Sequence, residues 1–272
     1  MRPLLAIALA LCATLAFAEQ PSPRTRIHAL VAAVGDQFQV IYEEKSTGSS
    51  LPPFRRRTVE VGANQLNRIV LRSLDQAMEK ADPGSERLYL ALTPPPNADA
   101  IAWIVGELEK IPQHAQWDSI VVATPGYQGL AVNRMPSRMR GLGLFAQPMC
   151  QSNPEACDRR EVPFVGADAV TPDGKPIQAN YFVAPFSLLD IRLLDPKTLA
   201  VIEKLESYDH QKFYDPKAVS SNMFDNVDKA ALAQHIVSLV ERSVTSAMAG
   251  SELRGKVDVR LLKEVKPDAD RR

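Results

Sequence analysis

The spacing of apolar residues along this chain switches between alternation, typical of strands, and a period of three to four, typical of helices. The helical patterns cover residues 64–82, 97–112 and 228–248. Each begins at a side chain that can cap a helix, namely Asn64, Asn97 and Asp228. The last pattern is the longest, so a long C-terminal helix is expected.

Short apolar runs lie between these helical segments and predict strands at residues 58–61, 88–92 and 120–123. The resulting strand–helix–strand–helix–strand order, with short connections, favours parallel pairing in this region. Residues 27–34 and 38–42 flank Gly35-Asp36 and predict an antiparallel hairpin. The predicted fold is therefore α/β, with a mixed sheet that has a parallel βαβαβ centre, antiparallel hairpins and the C-terminal helix.

A second hairpin is expected over residues 181–208, with its turn at Asp195-Pro196-Lys197-Thr198. Pairing Leu194 with Leu199 would place an apolar set on one face, consisting of Leu189, Ile191, Leu193, Ala200 and Ile202. The other face would carry Asp190, Arg192 and Glu203, and we expect Asp190 and Arg192 to face solvent or neighbouring side chains. Further strands are expected at residues 141–147 and 257–265.

The first eighteen residues have the pattern of a secretory signal peptide. Arg2 gives a positive start, Leu4 to Leu15 form an apolar run, and Ala16-Phe17-Ala18 offers a cleavage site. A spanning helix needs about 20 apolar residues, so cleavage before Glu19 is favoured over membrane anchoring. Leu11 precedes Cys12 where a lipid-attachment site needs a small residue. We expect export to a bacterial periplasm or, alternatively, secretion to the medium.

The predicted domain organisation is a flexible leader at residues 19–26, one α/β domain at 27–265 and a polar tail at 266–272. An irregular insertion is expected at residues 148–176. Loss of the signal peptide leaves 31 basic and 32 acidic side chains, and this balance provides no overall field for nucleic acid. No later stretch approaches spanning length, so no transmembrane segment is expected in the mature chain.

Two cysteines, Cys150 and Cys157, remain after cleavage. In an exported protein, two nearby thiols predict a structural disulfide, and Asn153-Pro154 supplies a turn between them. A metal site would need closer spacing and further Cys or His ligands. No metal or cofactor is expected.

The loop after the strand at 120–123 is the predicted ligand site, because parallel sheets hold ligands at the carboxyl ends of their strands. Tyr127 can stack or donate a hydrogen bond, and Arg134, Arg138 and Arg140 can bind a phosphate or carboxylate. An ordinary solvated loop is the alternative. The basic triplet 55–57 would join this site only if the fold brought it near.

Other motifs argue against a recognisable active site. The letters of residues 141–146 match a dinucleotide fingerprint, but they read as a strand rather than a strand-to-helix turn. Asp209 and His210 are adjacent, and adjacent strand residues point to opposite faces. No lipase-type serine elbow and no His-Glu-x-x-His zinc motif occurs.

The segment Leu-Asp-Ile-Arg-Leu-Leu-Asp-Pro-Lys-Thr-Leu-Ala-Val-Ile at 189–202, followed by a long helix, resembles a hairpin of bacterial envelope assembly proteins. These include the curli secretion channel family and the lipoprotein activators of penicillin-binding proteins. The resemblance covers fourteen residues and an element order, so it implies shared architecture and no site residues.

Two functions are consistent with these patterns. The favoured one is an exported, non-catalytic envelope protein that binds a partner protein or a small anionic ligand. The alternative is an exported hydrolase acting on a phosphorylated or other anionic substrate. In that case the three arginines would hold the substrate, and His210 or Asp118 would transfer a proton.

Export makes a prediction about the native protein. Its intact mass should correspond to a chain that starts at Glu19 and lacks the two hydrogens of the Cys150 and Cys157 thiols. Mass spectrometry before and after reduction measures both properties. Recovery of a chain that retains Met1 and has two free thiols would contradict the prediction.

Overall fold

A mixed sheet of ten strands organises the part of the chain that the structure describes. This computed structural model describes residues 24–43, 54–95, 98–132, 135–148, 181–211, 213–214, 229–251 and 253. The strands are β1 Ile27–Ala32, β2 Gln37–Glu43, β3 Phe54–Glu60, β4 Glu86–Ala91, β5 Ser119–Pro125, β6 Tyr127–Val132, β7 Met135–Pro148, β8 Tyr181–Leu194, β9 Val201–His210 and β10 Phe213–Tyr214. The helices are α1 Gln65–Ala81, α2 Ala100–Leu108 and α3 Lys229–Ala249, and Pro112–Gln116 form a 3₁₀ turn. The predicted α/β class is confirmed.

The parallel part of the sheet has the order β4-β1-β5. Its first strand is β1, whereas the sequence pattern had assigned that place to residues 58–61. Those residues overlap β3, which pairs antiparallel with β2. The chain therefore leaves β1, forms β2 and β3 in the other half of the sheet, crosses over through α1, and returns to place β4 beside β1.

The predicted hairpin between residues 27–34 and 38–42 is wrong. Both edges of β1 are occupied by β4 and β5, so β2 cannot pair with it. Instead, β2 runs parallel to β7 and antiparallel to β3. Gly35, with a φ of +77°, turns the chain from one half of the sheet to the other.

Strand β8 joins the two halves. Its residues 189–194 pair with β5 and its residues 181–188 pair with β7, while β9 lies on the opposite edge. Strands β5 and β7 therefore lie end to end along one edge of β8. At the junction, the Gly126 amide donates to Leu188 O at 2.8 Å and the Gly141 amide donates to Gly126 O at 3.1 Å. Residues 127–132 of β6 pair antiparallel with residues 135–140 of β7, and we call these two paired segments the arm.

The predicted hairpin of β8 and β9 is present, and its register differs from the predicted one. Asp195 Oδ1 accepts hydrogen bonds from the amides of Lys197 and Thr198, which fixes the expected turn. A bulge follows, so Leu194 pairs with Val201. As a result, Glu203 lies opposite Leu193 rather than on the face of Asp190, and Ile202 is 51% exposed.

Helices cover both faces of the sheet. One apolar cluster joins α1 and α3 to the face formed by Leu30, Val121 and Ile191. A second joins α2, through Ile104 and Leu108, to the other face. Burying each of these α2 side chains stabilises the fold by about 1.5–3 kcal/mol. Between α3 and the sheet, the hydroxyls of Ser187, Ser207 and Ser243 form a buried hydrogen-bonded series. Ser207 Oγ and Ser243 Oγ are 3.0 Å apart.

The helix starts differ in part from those predicted. Asp99, rather than Asn97, caps α2 by accepting from the amides of Ile101 and Ala102. Asn64 precedes α1 in a left-handed conformation, and its side chain makes no capping hydrogen bond. None of the described helices is long and apolar enough to span a bilayer.

The contact between β2, β7 and β8 leaves no space for a side chain at Gly143. A Cβ there would lie 2.2 Å from Phe186 Cζ and 2.6 Å from Gln39 O. We expect Gly143→Ala to lower the free energy of unfolding by roughly 1–3 kcal/mol through overpacking, measured by urea denaturation. Gly106→Ala is the control, because a Cβ at Gly106 in α2 meets no atom within 4 Å. It should be neutral or stabilise by up to about 1 kcal/mol, and equal effects would contradict this packing.

Candidate ligand-binding site at the end of strand β5

Tyr127 and Arg140 form the first residue pair of the arm. The Arg140 guanidinium carbon lies 5.3 Å from the centre of the Tyr127 ring, within the range of a cation–π contact. Tyr127 is 50% exposed and Arg140 is also exposed. Both side chains had been predicted as ligand-binding residues, and the fold brings these two together.

The other predicted site residues are less fully described. Arg138 pairs through its backbone with Gly129 farther along the arm, while its side chain and all of Arg134 lie outside the described part. Cys150 and Cys157 also lie outside it. The basic triplet 55–57 is on β3, and β2 separates that strand from β7.

A buried carboxylate lies beneath the base of the arm. Asp190 on β8 is 7% exposed. One of its oxygens accepts a hydrogen bond from the Tyr208 hydroxyl at 3.0 Å. The other lies 3.1 Å from Arg192 and 3.3 Å from Lys204. Because a buried charge is costly unless it is paired and hydrogen-bonded, these three neighbours fix the position of the carboxylate.

This network extends to the backbone of the arm. Arg192 donates to Thr124 Oγ1 at 2.8 Å, and the Tyr127 amide donates to the Tyr208 hydroxyl at 3.3 Å. Strands β5, β8 and β9 therefore hold the first residue of β6 in place. The arrangement requires a glycine at position 126, because a Cβ there would lie 2.6 Å from the Tyr208 ring and 3.0 Å from Asp190 Oδ1.

Burial raises the pKa of Tyr208 to about 12, and the hydrogen bond to the Asp190 carboxylate adds to the effect. The phenol therefore stays neutral near physiological pH. It donates to Asp190 and accepts from the Tyr127 amide. This arrangement positions groups for binding and leaves Tyr208 unsuited to accept a proton.

Asp190 was expected to face either solvent or neighbouring side chains, and in the structure it is buried against neighbouring side chains. Arg192 and Lys204 supply the opposite charge that permits its burial. The sequence contained a signal for this cluster. Asp190 and Arg192 are two positions apart on one strand and so share a face, and the same holds for Lys204 and Glu206 on the next strand. Cross-strand pairing then places Arg192 opposite Lys204 and Asp190 opposite Glu206.

The two proton-transfer candidates of the hydrolase hypothesis occupy different places. Asp118 accepts from the Ile27 amide at 2.8 Å, at the amino end of β5. A strand of seven residues separates it from the arm, a distance of roughly 20 Å. His210 lies on β9, two residues beyond Tyr208. Asp209 instead contacts Arg242 on α3, with its Oδ2 2.6 Å from Arg242 Nε, so it does not orient the His210 ring.

Sequence reasoning missed a second polar cluster. His28 Nδ1 lies 2.7 Å from Ser119 Oγ, and His28 Nε2 lies 2.7 Å from Asp82 Oδ2. The residue types match a Ser-His-Asp triad. However, Ser119 is 5% exposed, and the cluster lies at the amino ends of β1 and β5, away from the arm. We interpret it as a buried polar bridge that ties the end of α1 to the sheet.

No group of three or more His, Cys, Asp or Glu side chains among the described residues could hold a metal ion. His114 and His235 have separate contacts, with Pro196 O and with the Phe213 ring respectively. The described side chains at the site supply cations, hydroxyls, an aromatic ring and the Asp190 carboxylate.

Similarity of this chain to known proteins is found among solved structures. No protein-family model and no curated protein matches it. A solved Helicobacter pylori protein described as a neuraminyllactose-binding hemagglutinin homolog is 7% identical, with 86% of this chain and 89% of that chain covered, at a TM-score of 0.35. The PelC dodecamer of Paraburkholderia phytofirmans is 10% identical, with 82% and 90% covered, at 0.27. A DUF330 protein of Xanthomonas campestris is 10% identical, with 87% and 91% covered, at 0.28. At these TM-scores the similarities support no functional assignment.

The raised pKa of Tyr208 makes its contribution to stability sensitive to alkaline pH. A tyrosine in the unfolded chain titrates near pH 10, whereas this phenol titrates at about 12 in the folded protein. The stabilisation that Tyr208 contributes to the folded protein is fully present below a pH of about 10 and is lost as the pH rises to about 12. Tyr208→Phe should be less stable than the native protein by about 1.5–3 kcal/mol at neutral pH, because Asp190 loses a donor.

The difference in unfolding free energy between the native protein and Tyr208→Phe should then shrink across that alkaline range. Urea denaturation at a series of pH values measures it, and the comparison cancels groups common to both proteins. A difference that stays constant to about pH 12 would contradict the proposed role of the Tyr208–Asp190 hydrogen bond.

Proposed function

We propose that this protein is exported, matures by loss of residues 1–18 and acts in the bacterial envelope as a non-catalytic binding protein. Its ligand is an anionic group of a partner protein or of a small molecule. The binding site is the base of the arm, where Tyr127 and Arg140 are exposed together. The observation that carries this proposal is the cation–π pair at the carboxyl end of β5.

The charge of this region favours an anionic ligand. From Ser119 to Pro154 the sequence contains three arginines and no Asp or Glu. A guanidinium binds carboxylate or phosphate through two parallel hydrogen bonds. An adjacent tyrosine ring adds apolar contact area, and Tyr and Arg are among the residues enriched at the energetic centre of binding surfaces.

The network below the site favours binding through preorganisation. Asp190, Tyr208 and Gly126 fix the start of β6, so the position of the Tyr127 backbone does not have to be ordered when a ligand binds. Ordering costs reduce affinity. Because the base of the arm is already fixed, less of the contact energy is spent on ordering it, and the binding free energy is correspondingly more favourable.

The hydrolase alternative uses the same cations and differs in needing a group that transfers protons. The location of Asp118 at the far end of β5 removes one candidate, and the pKa of Tyr208 makes that phenol a poor base. His210 is the remaining candidate among those named. A panel of phosphatase and esterase substrates tests the alternative, and turnover that disappears in Arg138→Ala would overturn the non-catalytic assignment.

The binding proposal is tested with Arg140→Ala and a matched charge change on helix α3. Arg242→Ala is suitable, because Arg242 lies on α3 and pairs with Asp209. With poly-L-glutamate and inorganic polyphosphate as probes, Arg140→Ala should bind about 10-fold or more weakly, since a hydrogen bond to a charged group contributes about 1.5–3 kcal/mol. Arg242→Ala should bind like the native protein. Isothermal titration at low and high salt measures both.

Equal binding by Arg140→Ala and the native protein would contradict the assignment of the site. Failure of both probes to bind the native mature protein would contradict anion binding itself. Circular dichroism and urea denaturation of each variant establish that a loss of binding does not arise from unfolding.

A further inference from the structure

The two edges of the arm differ in their backbone hydrogen bonding. The Gly141 amide donates to Gly126 O, whereas the Tyr127 amide donates away from β7 to the Tyr208 hydroxyl. In an antiparallel pair the direction of these groups alternates from residue to residue. The amides and carbonyls of Tyr127, Gly129 and Ala131 therefore point outward from β6, away from β7.

The outer edge of β7 is protected against strand addition. The Arg140 amide points outward there and donates to Gln39 Oε1 at 3.0 Å. By the same alternation, residues 138 and 136 also face outward on this edge. Position 136 is a proline in β7, which has no amide hydrogen to offer to another strand.

The outer edge of β6 has no such protection within the described residues. There, β6 pairs only with β7, and beyond Tyr127 the next outward groups belong to Gly129 and Ala131. A two-stranded ribbon is marginally stable in water by itself. An edge with unpaired amides and carbonyls is also a template for one more strand.

We propose that the outer edge of β6 binds an extended acidic segment of a partner protein as an added β-strand. This inference rests on the proposed function, and it specifies the ligand of the same site. Main-chain hydrogen bonds to Gly129 and Ala131 supply binding that is independent of sequence, and side chains supply selectivity. The acidic character follows from charge complementarity, since the arm contains arginines and no acid.

The capped residue Tyr127 sets the limit of the added strand. Its amide is already bonded to Tyr208, so the added strand pairs with positions from 129 onward. An acidic side chain at the end nearest Tyr127 then lies beside the Arg140 guanidinium, which stands over the Tyr127 ring. The edge of β6 thus fixes the path of the segment, and Arg140 selects its charge.

The first experiment uses peptides of about eight residues, which is within the usual range of strand lengths. Their sequence alternates glutamate and threonine. One peptide is unmodified. A second is N-methylated at its odd-numbered residues and a third at its even-numbered residues, so that each blocks the amides on one edge of the peptide strand. The unmodified peptide should bind the mature protein. One of the two methylated peptides should bind at least 10-fold more weakly than the unmodified peptide, and the other should bind about equally well. The reason is that only one edge of an added strand faces β6.

A protein variant provides the complementary test. Ala131→Pro removes an outward amide of β6 and leaves the amides that bond to β7 in place. It should lose the peptide at least 10-fold while binding inorganic polyphosphate as the native protein does. Arg140→Ala should weaken both probes. Hydrogen exchange in the free protein should be faster at Gly129 and Ala131 than at Gln128 and Leu130.

The outcomes separate the two proposals. If all three peptides bind equally and Arg140→Ala weakens them, the anion site stands and strand addition is wrong. Slow exchange of the Gly129 and Ala131 amides in the free protein would also overturn strand addition, because the edge would already be paired. If neither the unmodified peptide nor polyphosphate binds, both proposals fail.

Discussion

The structure depends on the sharing of one edge of β8 by two strands. Strands β5 and β7 cannot occupy the same positions, so each pairs with a different part of β8. Gly126 and Gly141 meet where one strand replaces the other. This arrangement unites a parallel half and a mainly antiparallel half in one sheet, and it directs the intervening residues outward as the arm.

The same junction explains why charged groups are buried next to an exposed site. Asp190 lies where β5 and β7 exchange places on β8, and its partners come from β8 itself and from β9. Hydrophobic residues could fill such a space, but they would not bond to the Tyr127 amide. The polar cluster buries less apolar surface than hydrophobic residues would, but its hydrogen bonds define a single position for the base of the arm.

Local features of the fold could be predicted from the sequence. The helices follow from apolar periodicity, and the turn at Asp195 follows from side-chain hydrogen bonds within four residues. Pairing between distant segments could not be predicted in the same way. The turn at Gly35-Asp36 is compatible with a hairpin, and the hairpin is absent only because β4 and β5 already pair with β1.

The site shows the same division between local and distant information. Tyr127 and Arg140 could be proposed because both flank a strand end, where ligands are often held. The burial of Asp190 depends on a register that a single bulge after Leu193 altered. The His28 cluster joins residues 54 and 91 positions apart, and no motif spacing indicates such a contact.

The central place of β8 also governs the order in which the molecule can assemble. The arm and β2 meet through Gln39 and Arg140, which are 101 positions apart, and neither half of the sheet is complete until residues 181–194 arrive. Closing such long loops before their contacts form is entropically costly and slows folding. A chain still emerging from a ribosome or a translocation pore would thus remain without its joining strand until its last third is released. Under the proposal that the protein is exported, such late folding keeps the chain unfolded while it crosses the membrane.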